Sequence, residues 1–383
     1  MSEYQRYEFM TIDRPLSRVQ LDAVNTLSSH IEASSTHALI EYHWGDFKHD
    51  PIDVLHEFFD AFLYWANWGS PQLAFRFPHG LLPVDLIDGY DLEDFVTFTQ
   101  YPDYDILAIQ FGEMEAPDEW IDYELGSLIA IRDELIEGDL RALYIVWLAG
   151  QRMIEGYDEE ENEDEEEDWE ISVPPVPPAF GTLTAAQQAL AELLQVPQEL
   201  LVAAARHSKA AVSSTEDDVA AWVKLLPPDR QHEYLVRLAR NEPGLSRLLV
   251  KELRELGQDK NRATPSTGEH VTYARLLAES KAIKAQLERE KREQEQAARR
   301  RHLQSMHDHQ DDYWHQVDLA VMRGTGTGYD EALRVLIELR GVADQFKETQ
   351  EFQERFRAWV RPHLRRPAFV KRLQAHKFTL PEA

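Results

Sequence analysis

No cysteine occurs anywhere in the 383 residues. That removes disulfide frameworks, thiol nucleophiles and every cysteine-based zinc site from the chemistry open to the chain. No run of ~20 apolar residues occurs either, so no stretch reads as a membrane span. The start, Met1-Ser2-Glu3-Tyr4-Gln5-Arg6, lacks the basic cluster and apolar centre of a signal peptide, and a cytoplasmic location is expected. Basic residues are scarce in the first half. Residues 1–180 carry 40 Asp and Glu against 8 Lys and Arg, a balance of −32, whereas the remainder balances at +3 within a total of −29. The first half should therefore repel phosphates, and nucleic acid is admitted only through the second half. An acidic half can instead attract a basic protein or mimic nucleic acid, and solubility is the blander use of the same charge.

What is present fits a globular protein, with 43% hydrophobic residues and a length that favours two domains. The expected fold class is an α+β or α/β N-terminal domain followed by an all-α C-terminal domain with a long charged helix. Strands are expected near Tyr7–Ile12, Ala38–Tyr42, Gln72–Phe77 and Ile106–Phe111, with a further strand candidate at Ala142–Trp147 inside an otherwise helical 119–152. Asp50-Pro51 suits a helix start, with Asp50 as N-cap and proline at the first helical position. That helix is read onward through Phe58, Phe59, Phe62, Tyr64, Trp65 and Trp68 as an aromatic-rich element. Most of these rings are assigned to the core, with Trp65 or Trp68 as partner contacts.

The expected domains are an acidic, aromatic-rich region over 1–154, an acidic and proline-rich linker over 155–180, a helical domain over 181–257, a polar loop over 258–270, and a long helix with C-terminal helices over 271–378. The linker expectation rests on the near-wholly acidic Asp158–Glu170 followed by Val173-Pro174-Pro175-Val176-Pro177-Pro178. From Val271 to about Arg323 no strong breaker interrupts the chain, and such a helix would reach ~75 Å. Its middle, Glu288–Arg301, is polar on every side and builds no core by itself.

The densest candidate for chemistry is Glu41-Tyr42-His43-Trp44-Gly45-Asp46-Phe47-Lys48. His43, Asp46 and His49 could join His56 and Asp60, one helical turn apart, as a general base or metal shell. Asp46-Phe47-Lys48 also has the Asp-x-Lys form of restriction-type nucleases, with Lys48 stabilising developing charge beside a divalent metal. The competing reading, a structural turn whose aromatics pack in the core, ranks ahead of catalysis. In the second half His307, Asp311 and His315, with Asp308 and Asp312 nearby, have the helical spacing of metal ligands, but one helix supplies few ligands and a solvated charged face ranks first. Gly324-Thr325-Gly326-Thr327-Gly328 lacks the strand and Gly-Lys-Ser/Thr of a phosphate loop and reads as a flexible connection. Arg299, Arg300 and Arg301, with Arg365, Arg366, Lys371 and Arg372, form basic tracts that could grip a nucleic-acid backbone or dock on an acidic surface. No cofactor is implied.

The helical second half also carries a resemblance. Ala220-Ala221-Trp222, Leu225-Leu226-Pro227, Leu235, Trp314, Tyr329-Asp330-Glu331-Ala332, Leu339, Phe352 and Arg366-Pro367-Ala368-Phe369-Val370-Lys371-Arg372-Leu373 resemble the helical C-terminal region of bacterial SWIM zinc-finger proteins, over roughly residues 180–378. The resemblance implies a bacterial protein engaged in association with proteins or nucleic acid. Zinc ligation does not transfer, because the cysteines are absent. The expected function is a non-enzymatic interaction or scaffold subunit of a larger bacterial cytoplasmic assembly. The alternative is a metal-dependent nucleic-acid-processing enzyme or accessory factor, in anti-phage defence, using the His43–Asp60 region.

Overall fold

The computed structural model describes residues 3–82, 90, 95–112, 123–161, 173–210, 219–240, 244–257 and 271–381. They divide into two compact units, Met1–Ile283 and Lys284–Ala383.

The first unit is built on a seven-stranded sheet of β1 (Gln5–Met10), β2 (Ile31–Ala33), β3 (His37–Tyr42), β4 (Ala61–Ala66), β5 (Gly69–Pro78), β6 (Val96–Gln100) and β7 (Tyr104–Gln110). Its order is β2-β3-β1-β4-β5-β7-β6, and every neighbouring pair is antiparallel. Successive strand residues point to opposite faces. Tyr7, Phe9, Ile40, Phe62, Ala74 and Ile106 therefore gather on one face, with Val54, Leu55 and Phe58 of helix α2 (Pro51–Phe58). Leu63, Trp65, Leu73, Phe75, Phe77 and Leu107 gather on the other. Both faces are covered, so the domain is α+β with an antiparallel sheet.

Burial on both faces explains where the sequence misleads. The helix expected to run from Asp50 through Trp68 ends at Phe58, and Phe59 is already extended with φ −125° and ψ 171°. Residues 61–66, Ala-Phe-Leu-Tyr-Trp-Ala, form β4 instead, because a strand buried on both sides loses its polar alternation and reads like a buried helix. The opposite error occurs at Ala142–Trp147, the strand candidate. It lies in helix α4 (Arg141–Glu161), where Ala142, Leu143, Tyr144, Ile145, Val146, Trp147, Leu148 and Ala149 are all buried. A helix enclosed all round has no polar stripe to betray its period.

Helix α1 (Arg18–Val24) begins in a capping box at Ser17 and Gln20 and covers the α2 face. Helices α3 (Ala130–Ile136), α4, α5 (Ala185–Leu193) and α6 (Gln198–Ala205) build the core on the other face, together with Val271, Tyr273 and Leu276. The expected division at 155–180 is thus not where the compact units part. Phe180 is buried, Val173 and Val176 pack against the same cluster, and the Val173 amide donates to the Val271 carbonyl at 3.1 Å. Asp158 to Glu161 belong to α4, and the rest of the acidic tract lies outside the described residues. Helices α7 (Val219–Val223), α8 (Pro228–Ala239) and α9 (Leu245–Gly257) follow.

Helix α10 (Tyr273–Asp308) is the long charged helix, about 54 Å at 1.5 Å per residue. It is shorter than expected because the helix breaks at His309, whose φ of −127° and ψ of 32° separate it from α11 (Gln310–Met322). Nothing in the sequence marks that break. Residues 284–302 are exposed at every position, as the polar middle predicts, and the Glu288–Arg292 pair at 3.0 Å supports the helix from outside. In the second unit α11 packs with α12 (Gly326–Phe346), α13 (Thr349–Val360) and α14 (Pro367–Ala375) around Trp314, Val317, Leu336, Phe356 and Phe369.

The glycine-threonine run is a tight corner rather than a flexible connection. Gly324 takes φ +65°, and Thr325 caps α12 by accepting from the Gly328 amide at 3.1 Å. A Cβ on Gly328 would stand 2.5 Å from the Ala320 carbonyl oxygen. Gly341 of the same helix meets nothing closer than the flexible Arg299 guanidinium at 3.5 Å. Gly328→Ala should therefore destabilise by about 1–3 kcal/mol through overpacking against backbone. Gly341→Ala should be neutral or stabilise by up to about 1 kcal/mol through helix propensity. Denaturant unfolding of the two variants measures the contrast.

Candidate functional site

The His43–Lys48 run forms the turn between β3 and α2. Gly45 at φ +81° makes the reversal, and a side chain there would be strained. Three anchors hold the turn. Gln5, only 4% exposed at the start of β1, donates its Nε2 to the Gly45 carbonyl at 3.2 Å and to Asp46 Oδ1 at 2.9 Å. Its Oε1 in turn accepts from the hydroxyls of Tyr7 at 2.8 Å and Tyr64 at 3.3 Å. Burial raises the pKa of both phenols, so they remain donors. Phe47 is buried with its ring 5.3 Å from that of Tyr7. Asp50 caps α2 as expected, accepting from the Ile52 amide at 2.7 Å.

Just ahead of these anchors Trp44 is 76% exposed. The expected core packing of the turn's aromatics holds for Phe47 and fails for Trp44. His43 lies beside it, its ring 5.4 Å from that of Tyr4. Tyr4 donates to Glu41 at 2.5 Å, and its pKa is pushed up to about 12 by burial and then by that carboxylate. Lys48 and His49 are exposed, and the His49 ring packs on Phe47 at 5.4 Å.

His56 and Asp60 do not complete a shell with His43 and Asp46. Asp60 lies beyond the end of α2, so the one-turn helical spacing is not formed. Asp46 binds Gln5 at one end of β1, whereas Asp60 binds the amides of Ile12 and Asp13 at the other. Seven residues of extended chain separate those anchors by roughly 20 Å. Asp60 is 2% exposed and fully engaged. Its Oδ2 accepts from Ile12 at 2.6 Å and Asp13 at 2.9 Å, and its Oδ1 accepts from Arg76 Nη2 at 2.8 Å. Arg76 Nη1 reaches the His56 carbonyl at 2.6 Å, and the His56 ring packs on Tyr101 at 4.1 Å. A cleft of about 220 Å³ beside Asp13, Arg14, His56 and Arg76 has these groups in its wall. Both candidate acids hold the fold together. Asp60→Ala should cost about 3–5 kcal/mol, because Arg76, only 11% exposed, would lose its charge partner and two backbone amides their acceptor, and chemical denaturation measures the loss.

Sequence reasoning did not single out Arg132 or the His79–Asp105 pair. Arg132 is fully buried, donating to the Arg76 carbonyl at 2.8 Å and to both oxygens of Asp13 at 3.1 and 2.6 Å. Asp105, also fully buried, accepts from His79 Nδ1 and from the Gly80 amide, each at 2.8 Å. Partners 119 and 26 residues apart leave no local signal to find.

Trp65, expected as a partner contact, is buried at 5% exposure. Strand alternation turns it into the core, where it donates to the Tyr123 carbonyl at 3.1 Å, and Trp68 is half-buried in the β4–β5 turn. Apolar side chains instead lie open on α7–α9 and the turn after α7, with Leu235 and Leu238 each 65% exposed and Leu225 and Leu256 also exposed.

The break at His309 puts His307 and Asp311 on different helices, which undoes their expected shared face. His307 bonds Glu348 at 3.1 Å, Asp311 binds Arg355 at 2.7 Å, and His315 is exposed. Among the described residues no group of three or more His, Asp or Glu converges as a metal shell. In the basic tracts Arg299 pairs with Glu338, Arg366 donates to the Val321 carbonyl, and Arg372 binds Asp330 at 2.6 Å. Arg300, Arg301, Arg365 and Lys371 are exposed.

The hydrogen bond to Glu348 raises the His307 pKa. A raised value in the folded state stabilises fully below the unfolded value near 6.5, and the contribution disappears as pH rises through the folded value. The difference in melting temperature between the native chain and His307→Gln should be largest below pH 6.5 and vanish at alkaline pH, as melts across pH will report.

Comparison of the chain with protein-family models, with curated proteins and with solved structures gives no match in any of the three.

Proposed function

We propose that this chain is a protein-interaction subunit rather than an enzyme. The observation that carries the reading is Trp44, 76% exposed on a turn whose next three residues are held by buried Gln5 and by the packing of Phe47. Large exposed aromatics on rigid supports are the usual anchors of protein interfaces. The acids that catalysis would need are occupied elsewhere, Asp46 by Gln5 and Asp60 by Arg76 and two backbone amides. The open leucines of α8 and α9 offer a second apolar surface of the same kind. The resemblance of residues 180–378 to the helical region of SWIM zinc-finger proteins points the same way. Among the described residues no helix is long and apolar enough to cross a membrane.

The test is purification of the tagged chain at native expression level, with and without nuclease. A protein partner should be retained after nuclease treatment, and Trp44→Ala should lose it while its melting curve stays within about 0.5 kcal/mol of the native chain. The reading fails if no nuclease-resistant partner is retained. It also fails if the purified chain cleaves nucleic acid with a divalent metal and a folded Asp46→Ala variant does not.

A further inference from the structure

We propose that the Trp44 turn receives a basic segment, bearing arginine or lysine, of a protein partner. This rests on the reading of the chain as an interaction subunit and adds the chemistry of what the turn takes.

Indole is the best aromatic face for a cation, and guanidinium groups stack on it more often than ammonium groups do. Trp44 offers that face without rearrangement, since Gly45 and Asp46 are fastened to Gln5 and Phe47 is fastened in the core. A segment docking there orders little on this side of the interface.

Residues 41–57 hold Glu41, Asp46, Asp50, Asp53 and Glu57, all exposed, against Lys48 alone. The wider field has the same sign, and the few bases of the first 180 residues do little to dilute it at the surface. Arg76 pairs with Asp60 at 2.8 Å, Arg132 with Asp13 at 2.6 Å and Arg141 with Asp139 at 2.6 Å, while Arg6 lies 3.5 Å from Glu8. Half of the eight available cations are therefore committed to acids within the fold. An approaching basic segment meets an exposed indole inside a negative field, which favours encounter and orientation together. A nucleic acid meets the same field as repulsion, and an apolar segment draws nothing from it.

The test uses the full chain and dye-labelled dodecapeptides of alternating Gly-Arg, Gly-Lys, Gly-Leu and Gly-Glu, titrated by fluorescence anisotropy at low and high salt. The Gly-Arg peptide should bind, more weakly as salt rises, and Gly-Glu should not. Trp44→Ala should weaken Gly-Arg binding by about three-fold or more, and Trp44→Phe should recover part of the loss. Trp44 is exposed, so both variants should fold, and circular dichroism melts check that they do.

Equal affinity of the native chain and Trp44→Ala for Gly-Arg would overturn the proposal, since the field alone would then account for binding. Absence of Gly-Arg binding, or tighter Trp44-dependent binding of Gly-Leu, would overturn it too. A retained cellular partner that Trp44→Ala loses, combined with Trp44-independent Gly-Arg binding, leaves the interaction reading standing and removes the basic segment. Trp44-dependent Gly-Arg binding without any retained partner separates the two in the opposite direction.

Discussion

The Asp60 carboxylate is the group on which the first unit turns, because a buried charge is tolerable only when donors replace the water it has lost. Its donors come from separate places in the chain: the amides of Ile12 and Asp13 just after β1, and the guanidinium of Arg76 in β5. Arg76 also holds the end of α2 through the His56 carbonyl and stacks over the Tyr104 ring at 4.4 Å. Its own carbonyl accepts from Arg132, which clamps Asp13 from α3. Two carboxylates and two guanidiniums, of which Asp60 and Arg132 are buried and Asp13 and Arg76 largely so, thus tie β1, α2, β5 and α3 into one arrangement. Such a lattice adds little net stability over an apolar core of equal volume, but each member makes mispairing of the others costly.

Much of the fold class was legible, and the failures share one cause. Strands β1, β3, β5 and β7 announce themselves through short apolar runs between turn residues, and Asp50-Pro51 marks the start of α2 by its cap chemistry. The sheet then buries both faces, which strips β4 of alternation, and α4 is enclosed all round, which strips it of an amphipathic stripe. A continuous apolar run carries no period, so β4 reads as helix and Ala142–Trp147 as strand. The break at His309 had no breaker residue to reveal it.

The candidate site divides in the same way. That the His43–Lys48 run would be a turn beside core aromatics was visible, because glycine among aromatics and polar residues implies reversal. Which ring would face the core was not. Phe47 goes inward and Trp44 outward because Gly45 reverses the chain between them, and no count along the sequence fixes that geometry. The hub of the turn, Gln5, lies 41 residues from Asp46. Arg132 and Asp105 were equally hidden, since a buried charge looks like a surface charge until its distant partner is known. His56 and Asp60 share a helical turn only if residues 50–68 form one helix, and that helix ends at Phe58.

β1 joins the Trp44 turn to the charges around Asp60. At its start Gln5 fixes the turn that carries Trp44, and just beyond its end Ile12 and Asp13 fix Asp60. Between them the strand pairs on one side with β3, Gln5 opposite Tyr42, and on the other with β4, Gln5 opposite Ala66. A slip of one residue in either pairing would turn Gln5 toward the opposite face and take its amide away from Asp46, while Tyr7 and Phe9 would leave their apolar face. The lattice around Asp60 opposes that slip, because its amide donors sit at fixed positions just past the strand. The charge buried at one end of β1 therefore helps to hold in place the indole displayed at the other.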